Sequence, residues 1–168
     1  MPDLTGIIDA LRASRFRDLS GARISATIPV AEPLVNALIA STLPAHAPVR
    51  SVTVLPEPGD RLAVRIVAKA ALIPAVTLKL SIEGQPALPA SPVLALRMVT
   101  LGGLFGLASG AIAGMLPPGV TLRGERILVD LAAMAQQQGH GDLFDHLERL
   151  EVHTDAGRLL LLVDAAVR

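Results

Sequence analysis

The stretch GHGDLFDHLER, residues 139–149, gathers His140, Asp142, Asp145 and His146 within a few positions. Two imidazoles and two carboxylates form a donor set that suits zinc, iron or manganese. On a helix Asp142 and His146, four apart, would share a face. No third ligand of matching geometry accompanies them, and the same residues read as an aspartate cap at Asp142 followed by a solvated helix reaching about Arg149. His153, in a strand beside a turn, and His46, in a proline-flanked loop, read as surface groups. The sequence contains no G-x-S-x-G elbow, no H-E-x-x-H, no P-loop and no G-x-G-x-x-G. The expectation is a non-enzymatic protein with no catalytic residue, no cofactor and no metal site.

Composition narrows the remaining classes. The 168 residues suit one domain, with residues 1–20 as an amphipathic lead-in and 21–168 as the main module. The 15 basic and 15 acidic residues balance, so no overall field draws the chain to nucleic acid. There is no Tyr or Trp, and the three Phe (Phe16, Phe105 and Phe144) provide no run of base-stacking platforms. Without cysteine there is no disulfide and no thiolate. Asp3 and Asp9 interrupt what a secretory signal would need, so the expected location is the cytoplasm. Hydrophobic content is 51%, nearly all aliphatic, against 18% charge, where ordinary domains carry about 25% charged residues. The chain has more apolar surface to hide than most of its size.

The elements that must do the hiding can be read from periodicity. Leu4, Ile7, Ile8 and Leu11 predict a short amphipathic helix with a basic end, either packed on the domain or resting on an anionic membrane surface. Ile24, Ala26, Ile28 and Val30 alternate with Ser25, Thr27 and Pro29 in an edge strand, because Pro29 lacks a ladder donor. A helix is predicted over 31–43, with Pro33 in its first turn. Val49–Leu55 is a strand, PEPGD at 56–60 a turn, and Leu62, Val64, Ile66 and Ala68 alternate with Arg61, Arg65 and Lys69 in the next strand. Val76, Leu78, Leu80 and Ile82 repeat the pattern against Lys79 and Glu83. The cations on the wet faces read as a solvated sheet surface or as a dock for anionic lipid. After QPALPASP (85–92), Val93–Thr100 adds a strand, 120–129 reads as strand with a kink or a turn at Gly124, and Asp130 caps a short helix to Gln138. Leu150–His153 and Arg158–Val167 form a closing hairpin, in which Leu159–Leu162 imply a strand buried on both faces.

LGGLFGLASGAIAGML, residues 101–116, is the unusual segment. On a helical wheel Gly102, Gly103, Gly106, Gly110 and Gly114 fall in one sector, opposite Leu104, Phe105, Ile112 and other bulky residues. Each interior glycine costs a helix about 1 kcal/mol relative to alanine, so the stripe implies a need for close approach. Met98–Leu116 is 19 uncharged residues long, within the spanning range of about 17–25. Its many glycines and alanines make insertion marginal, and a lone span would leave the dry strand faces uncovered. A long apolar helix packed inside an antiparallel sheet is the expectation, its glycine face meeting the sheet, a partner subunit or a ligand.

The succession RISATIPV, AEPLVNALIAS, long alternating strands and a long apolar helix resembles the bacterial members of the tubular lipid-binding (TULIP) superfamily over residues 20–167. The resemblance implies an α+β fold in which a curved antiparallel sheet of about six to eight strands wraps the glycine-rich helix, with an acyl chain or similar molecule held between them. Val64, Ile66, Val76, Leu78 and Leu80 of the sheet, with Leu104, Phe105, Gly106, Gly110 and Ile112 of the helix, are then the ligand-binding candidates, and a lipid or apolar small molecule is the partner. The alternative is a structural module that homodimerises through the glycine face.

Overall fold

The computed structural model describes residues 13–14, 17–43, 45–46, 48–70, 74–99, 116 and 118–167. Alternating sequence becomes antiparallel sheet throughout. The strands are β1 (Arg23–Ala31), β2 (Val49–Glu57), β3 (Arg61–Ala68), β4 (Val76–Gly84), β5 (Val93–Met98), β6 (Val120–Arg123), β7 (Arg126–Asp130), β8 (Leu147–Asp155) and β9 (Arg158–Ala166). They form two sheets, a curled six-stranded one in the order β2-β3-β4-β5-β7-β6 and a three-stranded one in the order β1-β9-β8. The curved antiparallel sheet of about six to eight strands is present as the six-stranded one, and the three-stranded sheet is additional. β9 pairs with β1 from the far end of the chain, Arg23 opposite Ala166, and that long-range pairing takes the last hairpin out of the larger sheet.

Register shifts between Val49 and Ser51 and between Ile82 and Gly84 interrupt the β2–β3 and β4–β5 ladders. An extra residue on one strand increases local twist, which helps a sheet curl. At the second shift the backbones come close, and a Cβ built on Gly84 would stand 3.2 Å from that of Ala95.

The helices are α1 (Glu32–Thr42) and α2 (Leu131–Gln137). Pro33 sits in the first turn of α1, where its missing N–H breaks no helical bond. Asp130 caps α2 as expected, its side chain accepting from the Ala133 amide at 2.9 Å. Among the described residues no helix is long and apolar, and none could cross a membrane. The predicted helix over 101–116 lies outside the described residues apart from Leu116, which packs against the core. The amphipathic helix predicted near the N-terminus also falls outside them, except for its last position.

Two further expectations change, and one alternative is resolved. Asp142 does not start an α-helix: Gly141–His146 is a short 3-10 segment, and from Leu147 the backbone is drawn into β8 by pairing with β9. Of the kink or turn expected at Gly124 the structure has the turn, φ 59°, and 120–129 forms a tight hairpin of β6 and β7. The leucines 159–162 are half-buried rather than covered on both faces. Leu159 and Leu161 meet the core, while Leu160 and Leu162 share the other face with Pro29, Thr27, His153 and Glu151.

Candidate functional site

Directly opposed residues of neighbouring strands share a face of a sheet, so the register sorts the apolar side of the six-stranded sheet into rows. Pro56, Leu62, Leu80 and Met98 form a central row, and all are buried. Toward one end, Val54, Val64 and Leu78 follow, of which only Leu78 is buried, and then Val52, Ile66 and Val76, all half-buried. Toward the other end lie Ile82, Leu96, Ile127 and Leu122, with Leu96 and Ile127 buried. Val152, Leu159 and Leu161 of the three-stranded sheet pack against this core.

The five sheet residues singled out by alternation therefore do converge on one face. They differ in cover: Leu78 and Leu80 are 2% and 3% exposed, inside the packed core, while Val64, Ile66 and Val76 belong to the end where cover thins. Leu104, Phe105, Gly106, Gly110 and Ile112 lie outside the described residues.

A polar joint holds the two sheets together. The turn after β2 carries Gly59 and Asp60, both with positive φ. From there the Asp60 carboxylate reaches β8, accepting from the Thr154 amide at 3.1 Å and facing His153 Nδ1 at 3.2 Å. Thr154, 6% exposed, donates its hydroxyl to the Glu57 carbonyl at 2.6 Å and accepts from the Arg61 amide at 2.8 Å. His153 Nε2 lies 3.4 Å from Glu151, which Arg149 grips at 2.8 Å. The Asp60 hydrogen bond raises the His153 pKa above the ordinary histidine value, against the smaller desolvating effect of burial, with Glu151 assisting. Arg149 first, then His153, hold Glu151 below the usual carboxylate range.

Two side-chain amides complete the joint. Asn36 of α1 donates to the Val54 carbonyl at 3.0 Å and accepts from the Val54 amide at 2.7 Å, while Gln85, just after β4, does the same to Val152 at 2.8 and 2.9 Å. Each mimics a strand peptide, and each leads from one sheet to the other: α1 follows β1 and binds β2, whereas Gln85 follows β4 and binds β8.

Of the histidine–aspartate stretch, His140 and Asp142 are exposed, and Asp145 and His146 face a cavity of about 490 Å³ walled by Leu88, Pro92, Phe144 and Ala166 among others. Among the described residues no three His, Asp or Glu groups come together as a metal-holding cluster.

No family model, curated protein or solved structure matches this chain. Its chemistry must be argued from its own geometry, which offers graded apolar cover and a hydrogen-bonded joint. Sequence reasoning passed over the residues of that joint. Asp60 ends the turn motif PEPGD, and His153 reads as a surface group; only the pairing of distant hairpins puts them face to face. Asn36 and Gln85 are lone amides in unremarkable contexts, and no local pattern marks them.

Proposed function

We propose that this chain binds a lipid or other hydrophobic ligand along the thinly covered end of the dry face of the six-stranded sheet, with Val64, Ile66 and Val76 as its floor. The observation that carries the reading is the gradient of burial: three consecutive cross-strand rows of the same aliphatic character pass from fully buried to half-buried. A half-buried row of Val52, Ile66 and Val76 is apolar surface still able to leave water, worth about 25 cal/mol per Å² on occupation. Such binding selects by shape and hydrophobicity and needs no covalent step. The proposal includes the resemblance to tubular lipid-binding proteins, under which Leu104, Phe105, Gly106, Gly110 and Ile112 of the glycine-rich segment are the further ligand-binding candidates.

Native mass spectrometry of freshly purified protein, followed by organic extraction, tests the reading, together with uptake of a fluorescent fatty acid. A co-purifying apolar molecule or saturable uptake is expected, weakened roughly tenfold or more by Ile66→Gln combined with Val76→Gln. Protein that is unliganded and takes up no probe refutes it. Gly106→Leu with Gly110→Leu separates the ligand reading from the homodimer reading: loss of uptake in an unchanged oligomer supports the first, and loss of a dimer with uptake retained supports the second.

A further inference from the structure

The wet face of the six-stranded sheet carries a feature that a merely solvated surface does not need. Arg97 of β5 stands directly opposite Arg126 of β7, and Arg126 directly opposite Arg123 of β6. Like charges placed opposite one another across strands are destabilising, yet three arginines occupy one continuous cross-strand row. One carboxylate serves two of them: Glu83 lies 2.7 Å from Arg126 and 3.7 Å from Arg97. Among the described residues Arg123 has no ion pair, nor do Arg61 and Arg65 on the same face of β3. Lys79 of β4 is paired with Glu57.

The six cations Arg61, Arg65, Lys79, Arg97, Arg123 and Arg126 face three strand carboxylates, Glu57, Glu83 and Asp130, a surplus of three, or two when the turn residue Glu125 is counted. The whole chain has a formal net charge of zero, so positive charge is concentrated here and a matching excess of negative charge lies elsewhere. With strands about 4.8 Å apart, β3 to β6 spreads the cations over roughly 19 Å. No strand of this sheet carries a Phe, Tyr, Trp or His that could stack on a base. Leu55, on this same face opposite Ala63, is 40% exposed.

We propose that this face docks the protein on an anionic bilayer surface, the arginine row meeting lipid phosphates and Leu55 entering the interface. A broad, aromatic-free cationic surface with an exposed leucine matches headgroups spread in a plane. The dock lies on the opposite side of the sheet from the apolar floor, and it stands whether or not an apolar ligand is found there.

Co-sedimentation of the full chain with vesicles tests it. Vesicles of phosphatidylcholine alone are compared with vesicles containing about a third phosphatidylglycerol, at low salt and at about 0.5 M salt, where the Debye length falls to a few ångströms. Binding is expected only to the anionic vesicles, and salt should remove most of it. The combined change Arg97→Gln, Arg123→Gln and Arg126→Gln should lower the partition coefficient about a hundredfold, whereas Arg23→Gln with Arg158→Gln, which removes charge from β1 and β9, should change it little. Glu83→Gln, which keeps every arginine, should strengthen binding about fivefold, and it serves as the readout should the triple variant fail to fold. Absence of binding, equal binding to both vesicle types, salt-insensitive binding, equal losses from the two sets of arginines, or no gain from Glu83→Gln overturns the proposal.

Discussion

Replacing Gln85 by alanine removes two hydrogen bonds at once and leaves the Val152 N–H and C=O without their partner, in a residue only 7% exposed. A net hydrogen bond contributes about 0.5–1.5 kcal/mol, and a buried polar group left unsatisfied costs about 1–3 kcal/mol. Because shortening the side chain lets some water approach the edge of β8, the lower part of that range applies, and Gln85→Ala should cost about 2–4 kcal/mol. For a chain of this length that corresponds to a fall in Tm of about 10 °C. Urea unfolding followed by circular dichroism measures the loss, and amide hydrogen exchange at Val152 locates it. Gln85→Glu sharpens the test: one oxygen can still accept from Val152 N–H, but the other is set against the Val152 carbonyl, so glutamate should rescue little of the loss. A decrease below about 0.5 kcal/mol with the Val152 amide still slow to exchange would show that the amide is an ornament of the surface and that other contacts join the sheets.

Leu78, the most deeply buried large side chain at 2% exposure, should cost about 3–5 kcal/mol as Leu78→Ala in the same unfolding assay; a cost under 1 kcal/mol would mean that the rows are looser than their burial implies. His153 has its folded pKa raised, chiefly by Asp60, so the stabilisation from this pair is fully present below the unfolded histidine value of about 6.5 and is lost as pH climbs through the higher folded value. The difference in Tm between the wild-type protein and His153→Gln should therefore be larger at pH 5.5 than at pH 8.5, and parallel Tm profiles would refute the pairing.

Strand positions and their dry faces were legible in the sequence because two-residue alternation is a local signal. Leu62, Val64 and Ile66 do oppose Leu80, Leu78 and Val76. The division into two sheets was not legible. It depends on β9 pairing with β1 at the opposite end of the chain, and a run of four leucines carries no alternation from which to choose a face. The candidate site divides along the same line. Alternation marks Val64, Ile66, Val76, Leu78 and Leu80 alike, whereas the difference in cover between Ile66 and Leu80 comes from what stands above each row. The Asp142 helix failed for a related reason, since a local cap signal lost to strand pairing that begins at Leu147.

The two amide stitches also bear on self-association. Asn36 occupies hydrogen-bonding groups on the outer edge of β2, and Gln85 does so on the outer edge of β8, so each sheet has one border guarded by a side chain acting as a short false strand. The other two borders are β1 and β6, and neither has a comparable side-chain partner among the described residues. β6 is four residues long and ends in Arg123, a short charged border of the kind that resists templating. β1 is nine residues long, and Ile24 and Ile28 are 53% and 44% exposed along it. Among the described strands β1 is thus the border most open to strand-by-strand pairing, with only Pro29 withholding a donor, and a charged residue at Ile28 would help to close it.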